Sequence, residues 1–259
     1  MHALLDFYRI CRCDIALFWR INRKVYGIWA VLLILIVGGL NTGSDHHVWS
    51  GVLALFGGFD PNAKKIAFLW LVPQLLAAIL SANYWGFKLS PIPVFHLVRT
   101  GKRSYWWLAA VVSMIFHTAI YYMGSFAVLV GMSLFVHSFS NVVSFGAQIV
   151  DAGYLCFHLF GMFATTTMMI VLFQSWVSLL AGVIPAYMAT VMLYAAAFYV
   201  PSRWMPTAHS NPRVYEAFAG SELTFAFSYT YNAVIIFLWI GIGIITVSRI
   251  DFLEKTGRK

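Results

Sequence analysis

Long apolar runs separated by short polar intervals dominate the chain, and their lengths carry the first prediction. A helix needs roughly 20 apolar residues to cross about 30 Å of hydrocarbon. Backbone groups in lipid must bond within their own segment, which favours helices for such runs. Val25 to Asn41 and Ile66 to Trp85 are the first two. No charged residue occurs between Tyr105 and Val150, or between Ala152 and Ser202. The second stretch is too long for one crossing at about 1.5 Å per residue. It divides into 155–176 and 179–200, with a tight turn before Gly182 and Pro185. In the first stretch 106–128 is the crossing, and 133–148, richer in Ser, Asn, Gln and His, belongs at the surface. A last run covers 229–247. The pattern predicts an all-α polytopic membrane protein with six transmembrane helices, one domain over 1–259.

Composition agrees: 61% of residues are apolar, 10% are charged, and mean hydropathy is +0.79. Soluble domains carry about 25% charged residues, so a water-soluble fold is excluded, as are disorder and a disulfide-stapled module. The net charge of +8 sits in patches between uncharged runs, so no nucleic-acid partner is expected. Six spans with both termini cytoplasmic leave only Lys64, Lys65, Arg203 and Arg213 of the 17 basic residues outside, as the positive-inside rule asks. A seventh span at 133–150 would put the basic carboxy-terminal tail outside. Residues 1–24 are too long and polar for a signal-peptide n-region. At roughly 100° per residue, Arg9, Arg12, Arg20 and Arg23 share one face, opposite Leu4, Cys11, Phe18 and Trp19. The reading is an interfacial helix along the lipid bilayer's inner leaflet. Its alternative is a helix packed on the protein's own cytoplasmic surface.

The spans contain no Asp, Glu, Lys or Arg. Charges at membrane depth mark ion pathways, so ion-coupled transport is disfavoured, with His117 and His158 the only titratable imidazoles in reach. There is no HExxH, no GxSxG and no carboxylate pair, and Gly101-Lys102 lacks a phosphate loop because His96 and Arg103 occupy its key positions. Catalytic residues are therefore not expected. The histidines fall at no metal-ligand spacing, and Cys11, Cys13 and Cys156 define no disulfide framework. His117 and Tyr121, four apart on one helix face, together with Asn232, are the candidates for a polar cargo path.

The segment 87–107, FKLSPIPVFHLVRTGKRSYWW, is the most informative. Pro91 and Pro93 end the second span, and 94–100 can form two helical turns before Gly101. Arg99, Lys102 and Arg103 make the segment basic, Phe95 makes it adhesive, and Trp106 and Trp107 anchor the next span. The expectation is a short amphipathic helix that docks a soluble partner, with a lipid-touching basic loop as the alternative. Three features together resemble the permease subunits of type-2 ATP-binding-cassette (ABC) exporters, particularly the six-span permeases of Gram-positive bacteria. They are VRTGKRSYWWL, the amphipathic amino-terminal helix, and VWSGVLALFGGF ahead of a Pro-containing second span. The resemblance implies a multi-pass plasma-membrane subunit that pairs with a second permease, identical or related, and exports a hydrophobic or amphipathic peptide, lipid or drug. It implies a coupling loop at 86–105 whose Phe95, Arg99, Lys102 and Arg103 meet a separate cytoplasmic ATPase. That partner would hold ATP and magnesium, leaving no cofactor on this chain. It also implies an outer re-entrant hairpin at 201–228. The long outer segment 42–64 departs from the drug-efflux members. Rival readings are a membrane immunity or sensor protein that binds a peptide at the outer leaflet, and a metal permease.

Overall fold

The computed structural model describes residues 2–40, 48–58, 64–90, 103–135, 141–145, 148–200, 202–215 and 223–250. Seven α-helices appear among them: α1 (His2–Leu40), α2 (Ser50–Phe56), α3 (Lys64–Lys88), α4 (Arg103–Leu134), α5 (Ala152–Ala181), α6 (Val183–Ala196) and α7 (Phe225–Arg249). Strands β1 (Val142–Phe145) and β2 (Gln148–Asp151) form an antiparallel hairpin between α4 and α5. Short 3₁₀ turns at Pro206–Ser210 and Pro212–Val214 lie between α6 and α7.

Paired contacts fix how the helices run. Asn22 and Asp14 of α1 bond to Leu80 and Lys88 of α3, so these helices are antiparallel. Ile15 and Trp29 of α1 meet His117 and Ser125 of α4, which is parallel to α1. Tyr122 and Met114 of α4 meet Thr167 and Ser175 of α5 in the antiparallel sense. His158 and Trp176 of α5 meet Tyr229 and Thr246 of α7, which runs alongside it. The bundle therefore has two ends. One gathers the amino-terminal half of α1, Lys88, Arg103, Gly182 and Arg249. The other gathers α2, the β-hairpin and the 3₁₀ turns. Helix α5 is the central rod, packed against α3, α4, α6 and α7.

Local chemistry explains the boundaries. Asp151 caps α5 by accepting from the Tyr154 backbone N–H at 2.8 Å, and Thr224 caps α7 by accepting from Phe227 at 3.2 Å. Gly182, at φ +92°, makes the link between α5 and α6 by itself; a side chain would be strained there. Pro73 sits inside α3, where it removes one helical hydrogen bond. Around it the Gln74 side chain donates to the Trp70 carbonyl at 2.9 Å and the Tyr121 hydroxyl donates to the Pro73 carbonyl at 2.8 Å, tying α4 to α3.

Several expectations change. No break separates 1–24 from 25–41: α1 is continuous over 39 residues, about 58 Å at 1.5 Å per residue. Its stripe of Cys11, Asp14, Phe18, Asn22, Trp29, Leu33 and Val37 is buried, so from Cys11 onward the expected interfacial stretch packs against the rest of the chain. The crossing expected at 106–128 extends to Leu134, and part of the expected surface segment is β-hairpin. The helix expected at 179–200 is the shorter Val183–Ala196. Among the described residues four helices are long and apolar enough to cross a membrane: the α1 stretch Leu4–Gly39, α4, α5 and α7. That is consistent with a membrane protein. Helix α3 and the 14-residue α6 are not among the four.

Candidate functional site

Where α1, α3 and α4 converge, the structure places an ion pair that the sequence does not announce. Lys88, in the last turn of α3, is 1% exposed and its ammonium meets the Asp14 carboxylate of α1. The remaining donors are also used: Lys88 Nζ lies 2.9 Å from the Tyr84 hydroxyl and 3.3 Å from the Trp106 carbonyl. The Tyr84 hydroxyl in turn donates to Asp14 at 3.1 Å. The ammonium also stands 4.6 Å from the centre of the Trp106 ring, close enough for cation–π attraction. It is the only ion pair among the described residues. A buried charge is tolerated when it is paired and its other hydrogen-bonding capacity is filled, and here both conditions hold. The pair is also directional, because only one axial register of α1 against α3 brings the two groups together.

Aromatic packing stiffens the same junction. Trp85 lies 5.7 Å from both Trp106 and Trp107, and its indole N–H donates to Ser175 of α5 at 2.7 Å. Phe7 and Tyr105 meet edge to face at 5.5 Å. Arg103, expected to face an ATPase, directs its guanidinium to the carbonyls of Ile250 at 2.9 Å and Ser248 at 3.4 Å. It thereby closes the carboxy-terminal end of α7, where a cation complements the helix dipole. Phe95, Arg99 and Lys102 lie outside the described residues. The roots of their segment, Lys88 on one side and Arg103 on the other, are both tied into the bundle.

Arg9, Arg12, Trp19, Arg20 and Arg23 are exposed along the amino-terminal half of α1. The basic face therefore points away from the bundle as the periodicity requires. The apolar face is divided instead: Cys11 and Phe18 are buried, while Leu4, Tyr8 and Trp19 remain exposed.

The cargo-path candidates separate into two places. His117 and Tyr121 line one small cavity with Phe18, Tyr26 and Ser81. Its volume is about 10 Å³, close to the least that holds one water molecule. His117 Nε2 donates to the Ile15 carbonyl at 3.0 Å, which leaves Nδ1 to accept from the Tyr26 hydroxyl at 3.2 Å. The ring stacks on Phe18 at 4.2 Å. This histidine joins α1 to α4. Asn232 is apart from it, donating to Thr165 and Thr166 of α5 at 3.0 Å each.

At the opposite end the described part of 201–228 turns back into the bundle. The Trp70 indole donates to the Ser210 carbonyl at 3.0 Å, and the Ser210 hydroxyl donates to the Gln74 side chain at 3.0 Å. His209 is fully buried, with Nδ1 2.9 Å from the Ser228 hydroxyl and its ring 4.4 Å from that of Tyr231. Burial pulls its imidazole down to about 4, a shift the Arg203 carbonyl only partly opposes. Burial likewise pushes the Tyr215 hydroxyl well above its usual range.

Among the described residues no group of three His, Cys, Asp or Glu is close enough to hold a metal ion. Sequence reasoning assigned Asp14 no role and read Lys88 as one of several cytoplasmic cations. The signal lies in α1, where Asp14 falls among Cys11, Phe18 and Asn22 on the stripe that turns out to be buried. No family model, curated protein or solved structure matches the chain.

Proposed function

We propose that the chain is the membrane-spanning permease subunit of an ATP-driven exporter of the type-2 ABC kind. In this reading the six helices α1, α3, α4, α5, α6 and α7 are six spans, and the end holding Lys88 and Arg103 faces the cytoplasm. One observation carries it. The basic segment between α3 and α4 is rooted at both sides in a rigid junction, by the Lys88–Asp14 pair on one flank and the Arg103 cap of α7 on the other. A push on that segment from a soluble ATPase reaches α1, α3, α4 and α7 together, because packed, hydrogen-bonded elements move as bodies. The alternating helices and the chain re-entering between α6 and α7 fit the same architecture.

The cavity beside His117 is too small for any cargo. In this reading the hydrophobic or amphipathic cargo travels along a surface shared with a second permease subunit. Purification from native membranes in mild detergent tests the partner: a stoichiometric ATPase is expected, and its absence from an intact preparation overturns the reading. Replacing Arg99 and Lys102 together by Glu is expected to abolish ATP-dependent efflux with membrane insertion unchanged. Efflux at the unmodified rate overturns the role given to the segment. Recovery of the chain with a bound extracellular peptide and no ATPase would replace the exporter with a peptide-sequestering protein.

A further inference from the structure

The β-hairpin has two unlike faces. Val143 and Phe145 are each 5% exposed and turn toward the bundle, and the Arg213 guanidinium lies 5.9 Å from the centre of the Phe145 ring. In the antiparallel register Ser144 pairs with Ile149 and Val142 with Asp151, so these four residues share the opposite face. On it Ile149 is 80% exposed and Val142 56%. Exposed apolar residues continue on both flanks: Phe135 where α4 ends, then Tyr154 and Phe157 in the first turns of α5. Scattered apolar residues on a surface are ordinary, but a contiguous band marks a contact surface.

We propose that this face of the hairpin lies in the lipid headgroup layer at its end of the bundle, as a membrane-surface anchor. Three observations favour lipid. The hairpin joins α4 to α5, two of the helices long and apolar enough to cross a bilayer. No charged residue occurs from Tyr105 to Val150, so Asp151 is the single charge in the strands. Asp151, the one charge on the face, is engaged in capping α5 through the Tyr154 N–H. Amphipathic and aromatic side chains are favoured at that depth, where an apolar body and a polar edge are both accommodated. The packed inner face holds the outer one in a fixed direction, so the hairpin sets the depth and tilt of α4 and α5 relative to the bilayer.

Site-directed spin labelling of the full chain in phosphatidylcholine–phosphatidylglycerol vesicles tests this, in a Cys13→Ser, Cys156→Ser background that keeps the buried Cys11. Labels at Val142→Cys, Ser144→Cys and Ile149→Cys are compared with Phe237→Cys, on the exposed side of α7, and Arg9→Cys, on the basic face of α1. The expected result is that oxygen collides with the three hairpin labels more often than a water-soluble nickel chelate does, as at Phe237, with the reverse at Arg9. Nickel dominating at the hairpin overturns the proposal by placing the face in water. Shielding from both reagents overturns it in favour of contact with another protein surface. The proposal requires membrane insertion but no ATPase, so its failure and that of the exporter reading are separable.

Discussion

Replacing Lys88 by Met removes the charge at the α1–α3–α4 junction while keeping most of the side-chain volume. Breaking a buried ion pair by removing one partner costs about 3–5 kcal/mol, since the other charge is left uncompensated. Here Asp14 keeps its hydrogen bond from Tyr84 at 3.1 Å, so the expected loss lies near the lower end, about 3 kcal/mol. Asp14→Asn is expected to cost about as much by stranding the ammonium against a hydroxyl, a carbonyl and a ring. The double variant Asp14→Leu, Lys88→Met leaves no charge to solvate and is expected within about 1 kcal/mol of the unmodified protein. Tyr84→Phe removes two bonds to charged groups, the one donated to Asp14 and the one accepted from Lys88, each worth about 1.5–3 kcal/mol. Unfolding in mixed dodecylmaltoside–SDS micelles, followed by tryptophan fluorescence with refolding verified, measures all four. Single variants within about 1 kcal/mol of the unmodified protein, or a double variant as destabilised as Lys88→Met alone, would refute the argument.

Other positions give independent tests. His209 takes up its proton more readily in the unfolded chain than in the fold, where it titrates at about 4. Stability is therefore full above pH 6.5 and falls between 6.5 and 4, by roughly 3 kcal/mol at 1.36 kcal/mol per pH unit. His209→Phe is expected to remove that slope in the same unfolding assay, and an unchanged slope assigns it to another group. Gly243 faces Trp107 so closely that an added methyl group would collide with the indole. Gly243→Ala is expected to destabilise by about 1–3 kcal/mol, as overpacking does, and to raise the fluorescence-detected fraction of aggregated protein. Arg103→Ala leaves the Ser248 and Ile250 carbonyls without their cation, and hydrogen exchange in the last turn of α7 is expected to quicken while that of α5 is unaffected.

Which features were legible follows from how local their causes are. That a turn divides the α5–α6 run was visible because the charge-free stretch is too long for one helix; its place was not, since α5 continues past the expected end at 176 to Ala181 and turns at Gly182. The basic face of α1 was visible because Arg9, Arg12, Arg20 and Arg23 follow the helical period. The division of its apolar face was not, since whether Trp19 or Phe18 meets the bundle depends on where α4 lies. The Lys88–Asp14 pair joins residues 74 apart in the chain, and no local pattern encodes such a meeting. The hairpin was hidden by composition: VVSF and QIVD are strand-like around Gly146-Ala147, but they sit inside an uncharged run that hydropathy alone assigns to surface or span. His117 and Tyr121 share one face by their spacing, but their partners, the Ile15 and Pro73 carbonyls, lie far off in sequence and fasten α4 to α1 and α3.

The one-residue link at Gly182 bears on biogenesis. Helices α5 and α6 are joined too tightly for the first to settle across the bilayer while the second is still being synthesised in a separate step. In the six-span reading proposed above, they are expected to leave the translocation machinery as a pair, the short α6 carried in by its longer neighbour. A glycosylation-site scan through nascent chains of increasing length would record both arriving at a single chain length.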